Sequence, residues 1–450
     1  MSQTIDRRRF NSRVLAVGSL LATGGISTAL AAVVRASEPR LVFAHYMVCC
    51  PRDGDDAPIA ALAAEIKLAQ SRGIDAFALN CGSWTDEPRY RTTATKLFRA
   101  AASLGTDFKL FFSADGLSPE TVVAMVSEFY SHPSMLRVAG KPMLSTFDGD
   151  AEWAKAFLGP LEAAGKPLTF VPFFFPEGRA KVFTARNIAK LIADNSYLDG
   201  FFLFGAAGSG TEIAQKSEKI GEAWRRAGKL YMAPVSPYYR GLGYRDNYRV
   251  FEPRGFQGMA LQWEAAIAVG AQWVEIVTWN DWSEATYVED LGAPATDSVA
   301  GGYWGQLLSH AAFLTASEYY IRWFKTGVQR IDRDDLYWFY RLSPRASPGH
   351  STPRGRKAAF PKGVENLEDQ VFVSAFLTAP AHIEIESGKR RYQFDVDAGV
   401  HHLGVDFALG AQKFSVSRNG RPILAGDGAF PITEDNWANY DYLSGQARRL

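Results

Sequence analysis

From residue 41 to about residue 326 the chain alternates eight short apolar runs with longer stretches of helical periodicity, and few folds absorb that pattern. The runs are 41–48, 76–81, 109–115, 142–147, 168–175, 200–205, 230–235 and 273–280. Helices are predicted between them at 58–72, 90–104, 119–131, 151–164, 185–194, 211–227 and 257–269, with a last one at 303–324. Ser118-Pro119 and Thr184 supply N-terminal caps, and Gly73, Gly105, Gly165, Gly228 and Gly270 follow last turns. Runs such as FVPFFF and FFLFG are apolar throughout, as strands covered by helices outside and packed side chains inside must be. A doubly wound open sheet would share the alternation, but no G-x-G-x-x-G follows the first run to make a dinucleotide site. The expected fold class is α/β: a (β/α)8 TIM barrel followed by a C-terminal β-sandwich.

Past residue 326 the periodicity becomes β-like, in runs at 336–340, 370–377, 382–386, 391–396, 399–407 and 413–418. Segment 343–363, rich in Pro, Arg, Gly and Ser, reads as a long exposed loop. The other end of the chain reads as an address. Arg7, Arg8 and Arg9 precede an apolar, Gly/Ala-rich run at 14–34, the pattern of a twin-arginine export signal. Three segments are therefore expected: a signal peptide at 1–36, a catalytic barrel at 37–326 and a β-sandwich at 327–450. The expected location is periplasmic or secreted, with no stable membrane insertion once the signal is removed.

A formal net charge of +1 supplies no field for nucleic acid. The three cysteines, Cys49, Cys50 and Cys81, make no disulfide framework, although a bridge from Cys49 or Cys50 to Cys81 would join neighbouring strand ends. No cofactor and no metal site are expected: the 7 histidines form no H-x-H or H-E-x-x-H, and the cysteines lack paired C-x-x-C spacing.

In such a barrel the C-terminal strand ends form the active-site mouth. They carry His45, Tyr46, Asn80, Asp115, Asp148, Tyr238, Trp279, Asn280 and Asp281, with Glu284 just beyond. Carboxylates, amides and a histidine without clustered Lys or Arg suit proton transfer on a neutral ligand. Glycosidic cleavage needs two carboxyl groups, and Asp281 and Glu284 are the natural pair. Three residues span at most about 10 Å, and a bent loop brings the carboxyls to the roughly 6.5–9.5 Å of an inverting enzyme, with the shorter retaining distance also open. Trp279, Trp282 and Tyr287 would give a sugar platform and a desolvating wall.

The stretches LVFAHYMV (41–48), GIDAFALN (73–80), KLFFSADG (109–116), HPSMLRVAGKPMLSTFDG (132–149), YMAPVSPYY (231–239) and VEIVTWNDWSEATYV (274–288) resemble glycoside hydrolase family 71, the α-1,3-glucanases or mutanases. The tail matches as well, in VFVSAFLTAPA (371–381) and FSVSRNGRPIL (414–424). The resemblance implies endo hydrolysis of α-1,3-glucan with inversion, with acid and base at Asp281 and Glu284; Glu284 is the preferred acid, and the division stays open. The chain departs from the family pattern in Ala114, Asp148 and Ala285-Thr286, and strands five and six lack Trp-bearing ends. A glycan-binding protein on a hydrolase barrel, or a hydrolase of another α-glycan, is the alternative.

Overall fold

The computed structural model describes residues 39–179, 182–241, 247–350 and 360–450. The twin-arginine segment lies outside the described residues. Pro39–Leu450 forms one compact unit.

Eight parallel strands alternate with eight helices: β1 (Leu41–Met47), α1 (Ile59–Ser71), β2 (Ala76–Cys81), α2 (Pro88–Leu104), β3 (Lys109–Asp115), α3 (Pro119–Phe129), β4 (Lys141–Phe147), α4 (Ala151–Ala163), β5 (Thr169–Phe170), α5 (Ala185–Asp194), β6 (Gly200–Phe202), α6 (Gly210–Arg226), β7 (Leu230–Val235), α7 (Phe256–Ala268), β8 (Trp273–Ile276) and α8 (Ala311–Thr326). Each strand pairs in parallel with the next from β1 to β5, β6 pairs with β7 and β7 with β8, and β8 returns to β1. Two backbone bonds close the ring between β5 and β6: Asp199 N–H donates to Phe170 O at 3.2 Å and Phe202 N–H to Pro172 O at 2.9 Å. The regular part of strand five is short because Pro172 has no N–H to give to a ladder.

Local chemistry fixes the helix starts. Ser118 caps α3 ahead of Pro119, Asp150 caps α4, and Thr184 and Ser209 form capping boxes with Asn187 and Glu212. Helices α6 and α7 meet backbone to backbone, since a Cβ on Gly210 would lie 2.2 Å from Gly258 Cα.

The last helix starts at Ala311, eight residues later than its periodicity predicts. Gly301, Gly302 and Gly305 take φ of 66°, 84° and 72°, values that no right-handed helix passes through. Residues 295–308 instead form a loop closed by a two-residue strand pair, Ala295–Thr296 with Leu307–Leu308, which leaves Tyr303 and Trp304 in a barrel-mouth loop.

The C-terminal strands are β9 (Asp335–Arg341), β10 (Gln370–Leu377), β11 (Ala381–Ser387), β12 (Arg390–Val396), β13 (Gly399–Asp406), β14 (Gln412–Arg418), β15 (Arg421–Asp427), β16 (Tyr442–Gln446) and β17 (Arg448–Arg449). They make a four-stranded sheet, β13-β10-β9-β16, facing a five-stranded one, β12-β11-β14-β15-β17. Between the sheets Trp338 stacks on Phe414 at 4.5 Å. Period-two alternation divides β9: Leu336, Trp338 and Tyr340 enter the sandwich core, whereas Tyr337 and Phe339 join the barrel core, with Phe339 4.6 Å from Phe313 of α8. The two middle strands of the four-stranded sheet are buried on both faces, so β9 and β10 are nearly continuous in apolar character. The outer sheet faces water on one side, and β11 alternates buried and half-buried residues along its length.

Candidate active site

Beyond β8 the chain passes a cis Val277–Thr278 peptide and folds into a loop whose base is tied by Thr278. Thr278 N–H donates to Thr286 O at 2.9 Å, Val288 N–H to Thr278 O at 3.1 Å, and the two threonine hydroxyls lie 2.9 Å apart. Within it Asp281 N–H donates to Thr278 Oγ1 at 2.8 Å. Asp281 Oδ1 in turn accepts from the Ser283 hydroxyl at 2.7 Å and from Glu284 N–H at 3.0 Å, so the two carboxylate-bearing residues are locked in one turn.

Glu284 Oε1 accepts from the Tyr239 hydroxyl at 2.7 Å and from Asn247 Nδ2 at 3.0 Å. Arg249 lies over the Tyr239 ring, 5.1 Å from its centroid, and Arg240 N–H holds Glu284 O at 2.8 Å. Burial, reinforced by the charge of Asp281, pushes the Glu284 carboxyl up to about 7. Burial also raises Asp281, opposed by the Ser283 and Glu284 hydrogen bonds and by His45. A carboxylic acid raised by burial, one turn from a second carboxylate, has the chemistry that general acid–base catalysis can use.

Four other strand ends, β1 to β4, carry polar residues that connect to the pair through His45. His45 of β1 is an electrostatic neighbour of both Asp281 and Asp115, and its Nδ1 lies 2.6 Å from Glu275 Oε1 inside the barrel. Asp115 accepts from Asn80 Nδ2 at 3.3 Å and is raised by burial, with Asp148 as a further charge. Asp148 pairs with Arg179. Neither aspartate caps the helix after it, because Ser118 and Asp150 do that work.

The remaining residues expected at the mouth lie elsewhere. Tyr46 points to the helix side of β1 and is buried beside Glu65 of α1. Trp279 shares that buried place and packs on Phe77 at 5.1 Å. Tyr238 is buried, its hydroxyl donating to Tyr440 O at 2.7 Å. Asn280 Nδ2 and Trp282 Nε1 both donate to Cys50 O at 2.9 Å, and neither side chain is exposed. Tyr287, also sealed, donates to Leu308 O at 2.5 Å and stacks on His310 at 4.2 Å. The wall expected of Trp279, Trp282 and Tyr287 is therefore packing. A loop this close to the barrel must bury its large rings to be held still, and Trp282 and Tyr287 spend their donors on backbone carbonyls. Ala285 and Thr286 also face inward, so the substitutions beside Glu284 alter the loop's base and not the cleft.

The cleft beside Asp281 is a cavity of about 550 Å³ lined by Met47, Cys49, Cys50, Tyr90, Ser283 and Trp304, among others. Sequence reasoning missed Tyr90, Trp304, Tyr239, Asn247 and Arg249. The Tyr238-Tyr239 doublet marked the right place one residue off, while Asn247 and Arg249 sit in a loop without periodicity. Cys49 is bonded to Cys50, and Cys81 is a buried free thiol. The expected bridge to Cys81 is thus not made: Cys81 is sealed within β2, while Cys49 and Cys50 sit in the loop above. Among the described residues no cluster of three His, Cys, Asp or Glu could hold a metal ion, and no helix is long and apolar enough to cross a membrane.

Among known proteins, the chain is 27% identical to a mutanase of Penicillium rubens over 90% of this chain and 88% of that one. It is 26% identical to a glucan endo-1,3-alpha-glucosidase of Schizosaccharomyces pombe, over 90% and 93% respectively. Among solved structures, the GH99 endo-alpha-mannosidase of Bacteroides thetaiotaomicron aligns at a TM-score of 0.48 and 18% identity, covering 63% of this chain and 97% of that one. The model of glycosyl hydrolase family 71 matches residues 38–449, nearly the whole compact unit, and the chain belongs to that family.

Proposed function

We propose that this protein is an exported, inverting endo-glycosidase that cleaves α-1,3-linked glucan, with Glu284 as acid and Asp281 as base. The observation that carries the division of roles is the environment of Glu284, whose raised carboxyl keeps a proton near pH 7. Tyr239 and Asn247 both engage Oε1, which leaves Oε2 to hold that proton over the glycosidic oxygen. Asp281 Oδ1 carries both of its hydrogen bonds, which leaves Oδ2 to accept a proton from water. Water attacks the anomeric carbon from the face opposite the leaving group, Asp281 takes its proton, and Glu284 protonates the departing oxygen as the bond breaks. Solvent then restores both groups. Asp115 and Asp148, half-buried at their strand ends, bind hydroxyls of the sugar, while buried Asn80 and His45 position Asp115 and Asp281 behind them.

The substrate reading is supported by the two relatives' names, by coverage of nine-tenths of the chain, and by a cleft that sets Tyr90, Tyr303 and Trp304 beside Asp281. Export through a twin-arginine signal at 1–36 is read from Arg7, Arg8 and the apolar run that follows. Its check is loss of export when Arg7 and Arg8 are replaced by lysine.

The test of activity is incubation of protein beginning at residue 37 with insoluble α-1,3-glucan, following reducing ends and the anomer first released by proton NMR. Release of the β-anomer is expected. The α-anomer would replace inversion by retention, and binding without new reducing ends on any α-glucan would make the protein a glycan-binding barrel.

A further inference from the structure

We propose that the Cys49–Cys50 disulfide is one wall of a sugar subsite beside Asp281, built to contact the apolar face of a pyranose; this rests on the α-glucan reading above. Three observations carry it. First, both cysteines are half-buried and line the cavity that holds Asp281, together with Tyr90, Tyr303 and Trp304. A cavity of this size falls within the roughly 300–1,000 Å³ usual for ligand sites, and among its charged residues Asp55, Arg89 and Asp281 the sulfurs and three aromatic rings form a neutral, polarisable part of the lining.

Second, the catalytic loop itself clamps the pair. Cys50 O receives Asn280 Nδ2 and Trp282 Nε1, Met47 N–H donates to Asn280 Oδ1 at 2.7 Å, and Cys50 N–H donates to Met47 O at 3.0 Å. Asn280 and Trp282 flank Asp281 in the chain, so the same bonds that hold the base in place hold the sulfur wall in register with it. Placement to a fraction of an ångström matters for a contact whose energy is dispersion.

Third, bonding of Cys49 to Cys50 removes both S–H groups and all rotation of the two side chains. A pair of thiols would be two free rotors. The joined sulfurs present a fixed surface that takes no hydrogen bond from sugar hydroxyls and suits the C–H face.

The chain offers a clean experiment, because its third and last cysteine is the buried Cys81, so a reductant can open no other disulfide. Dithiothreitol supplies two electrons and two protons to Cys49 and Cys50 as its own thiols close to a cyclic disulfide. Michaelis constants for soluble α-1,3-gluco-oligosaccharides are measured on oxidised wild type, wild type reduced and then freed of reductant, and C49A/C50A.

Reduction is expected to raise KM about fivefold with kcat within about twofold, reoxidation to restore it, and C49A/C50A to start from the high KM and ignore reductant. An active wild type whose KM ignores both reduction and C49A/C50A overturns the subsite assignment and leaves the glucanase reading intact. A fall in kcat and melting temperature with unchanged KM assigns the bond to folding alone and also overturns it. Alkylation of Cys49 and Cys50 in denatured, unreduced protein would show that no bond exists, and the subsite assignment would fall with it. Wild type inactive on every α-glucan overturns both readings.

Discussion

Two pairs of carboxyl groups lie on opposite sides of the segment that follows β8, and they share a chemistry but not a use. Asp281 lines the cleft, and Glu284, half-buried, lies one turn from it. Glu65 of α1 and Glu289 lie behind the segment, against Tyr46 and Trp279. Burial pushes Glu65 up to about 7, the value reached by Glu284, and raises Glu289 well above the usual carboxylate range, with Glu65 as its next cause. A raised carboxyl therefore marks burial, not function. What separates the pairs is access and direction. Glu65 and Glu289 are only 6% and 1% exposed, and an oxygen of each, Oε2, is buried without a partner. Asp281 and Glu284 are half-buried, Asp281 in the wall of an open cavity, and their hydrogen bonds converge on one oxygen each. The hidden pair has nothing to give its proton to.

That contrast is broken or sharpened by substitution. The largest effect belongs to the cleft: Asp281→Asn and Glu284→Gln should each lower kcat by about 10³-fold with melting temperature unchanged, and a variant retaining full turnover removes that residue from the chemistry. Next comes Tyr239→Phe. Its hydroxyl steadies the charged form of Glu284, so its loss raises the carboxyl further. The basic limb of the kcat/KM profile, set by deprotonation of the acid near pH 7, should move to higher pH, while kcat falls about tenfold. A limb that stays put would transfer the role of acid away from Glu284.

Asp115→Asn is expected to raise KM about fivefold and leave kcat within about threefold, as a binding group does and a proton-transfer group does not.

The smallest effect on turnover belongs to the hidden pair, where Glu65→Gln should leave kcat and KM unchanged and act on stability alone. The folded-state pKa of Glu65 is raised from 4.5 to about 7, so its favourable contribution is full below about pH 4.5 and is lost as the pH rises through 7. The amide cannot ionise. The variant should nearly match wild type at pH 4.5 and exceed it by about 3 kcal/mol at pH 8, read from denaturant melts at the two values. Lost activity at unchanged stability would place Glu65 in the mechanism and erase the distinction between the two pairs.

The barrel was legible in the sequence because strands closed into a ring and covered by helices are apolar along their length, and helices announce their ends with caps such as Ser118 and Thr184. The β-sandwich was legible for a related reason, although the strands Arg421–Asp427 and Tyr442–Gln446 escaped notice because they are short and polar at their ends. The candidate loop stands out in the sequence through Asp281 and Glu284. Its neighbours do not. Trp279, Asn280, Trp282 and Tyr287 sit beside the pair in sequence, but the loop turns their side chains inward, whereas Tyr90, Asn247 and Trp304 are remote in sequence and arrive by folding.

What the amino-acid sequence determined alone was periodicity, and with it the closed barrel, the second β unit and the strand end that carries the two carboxylates. Which side chains face the cleft was decided only by the tertiary structure. Exposure depends on how a loop without periodicity turns, and that turn is set by bonds between distant residues: Thr278 to Thr286, Asn280 to Met47 and Cys50, and Tyr239 to Glu284. The shared elevation of Glu65 and Glu284 has the same origin, since desolvation is a property of the packed whole and is written at no single position in the chain.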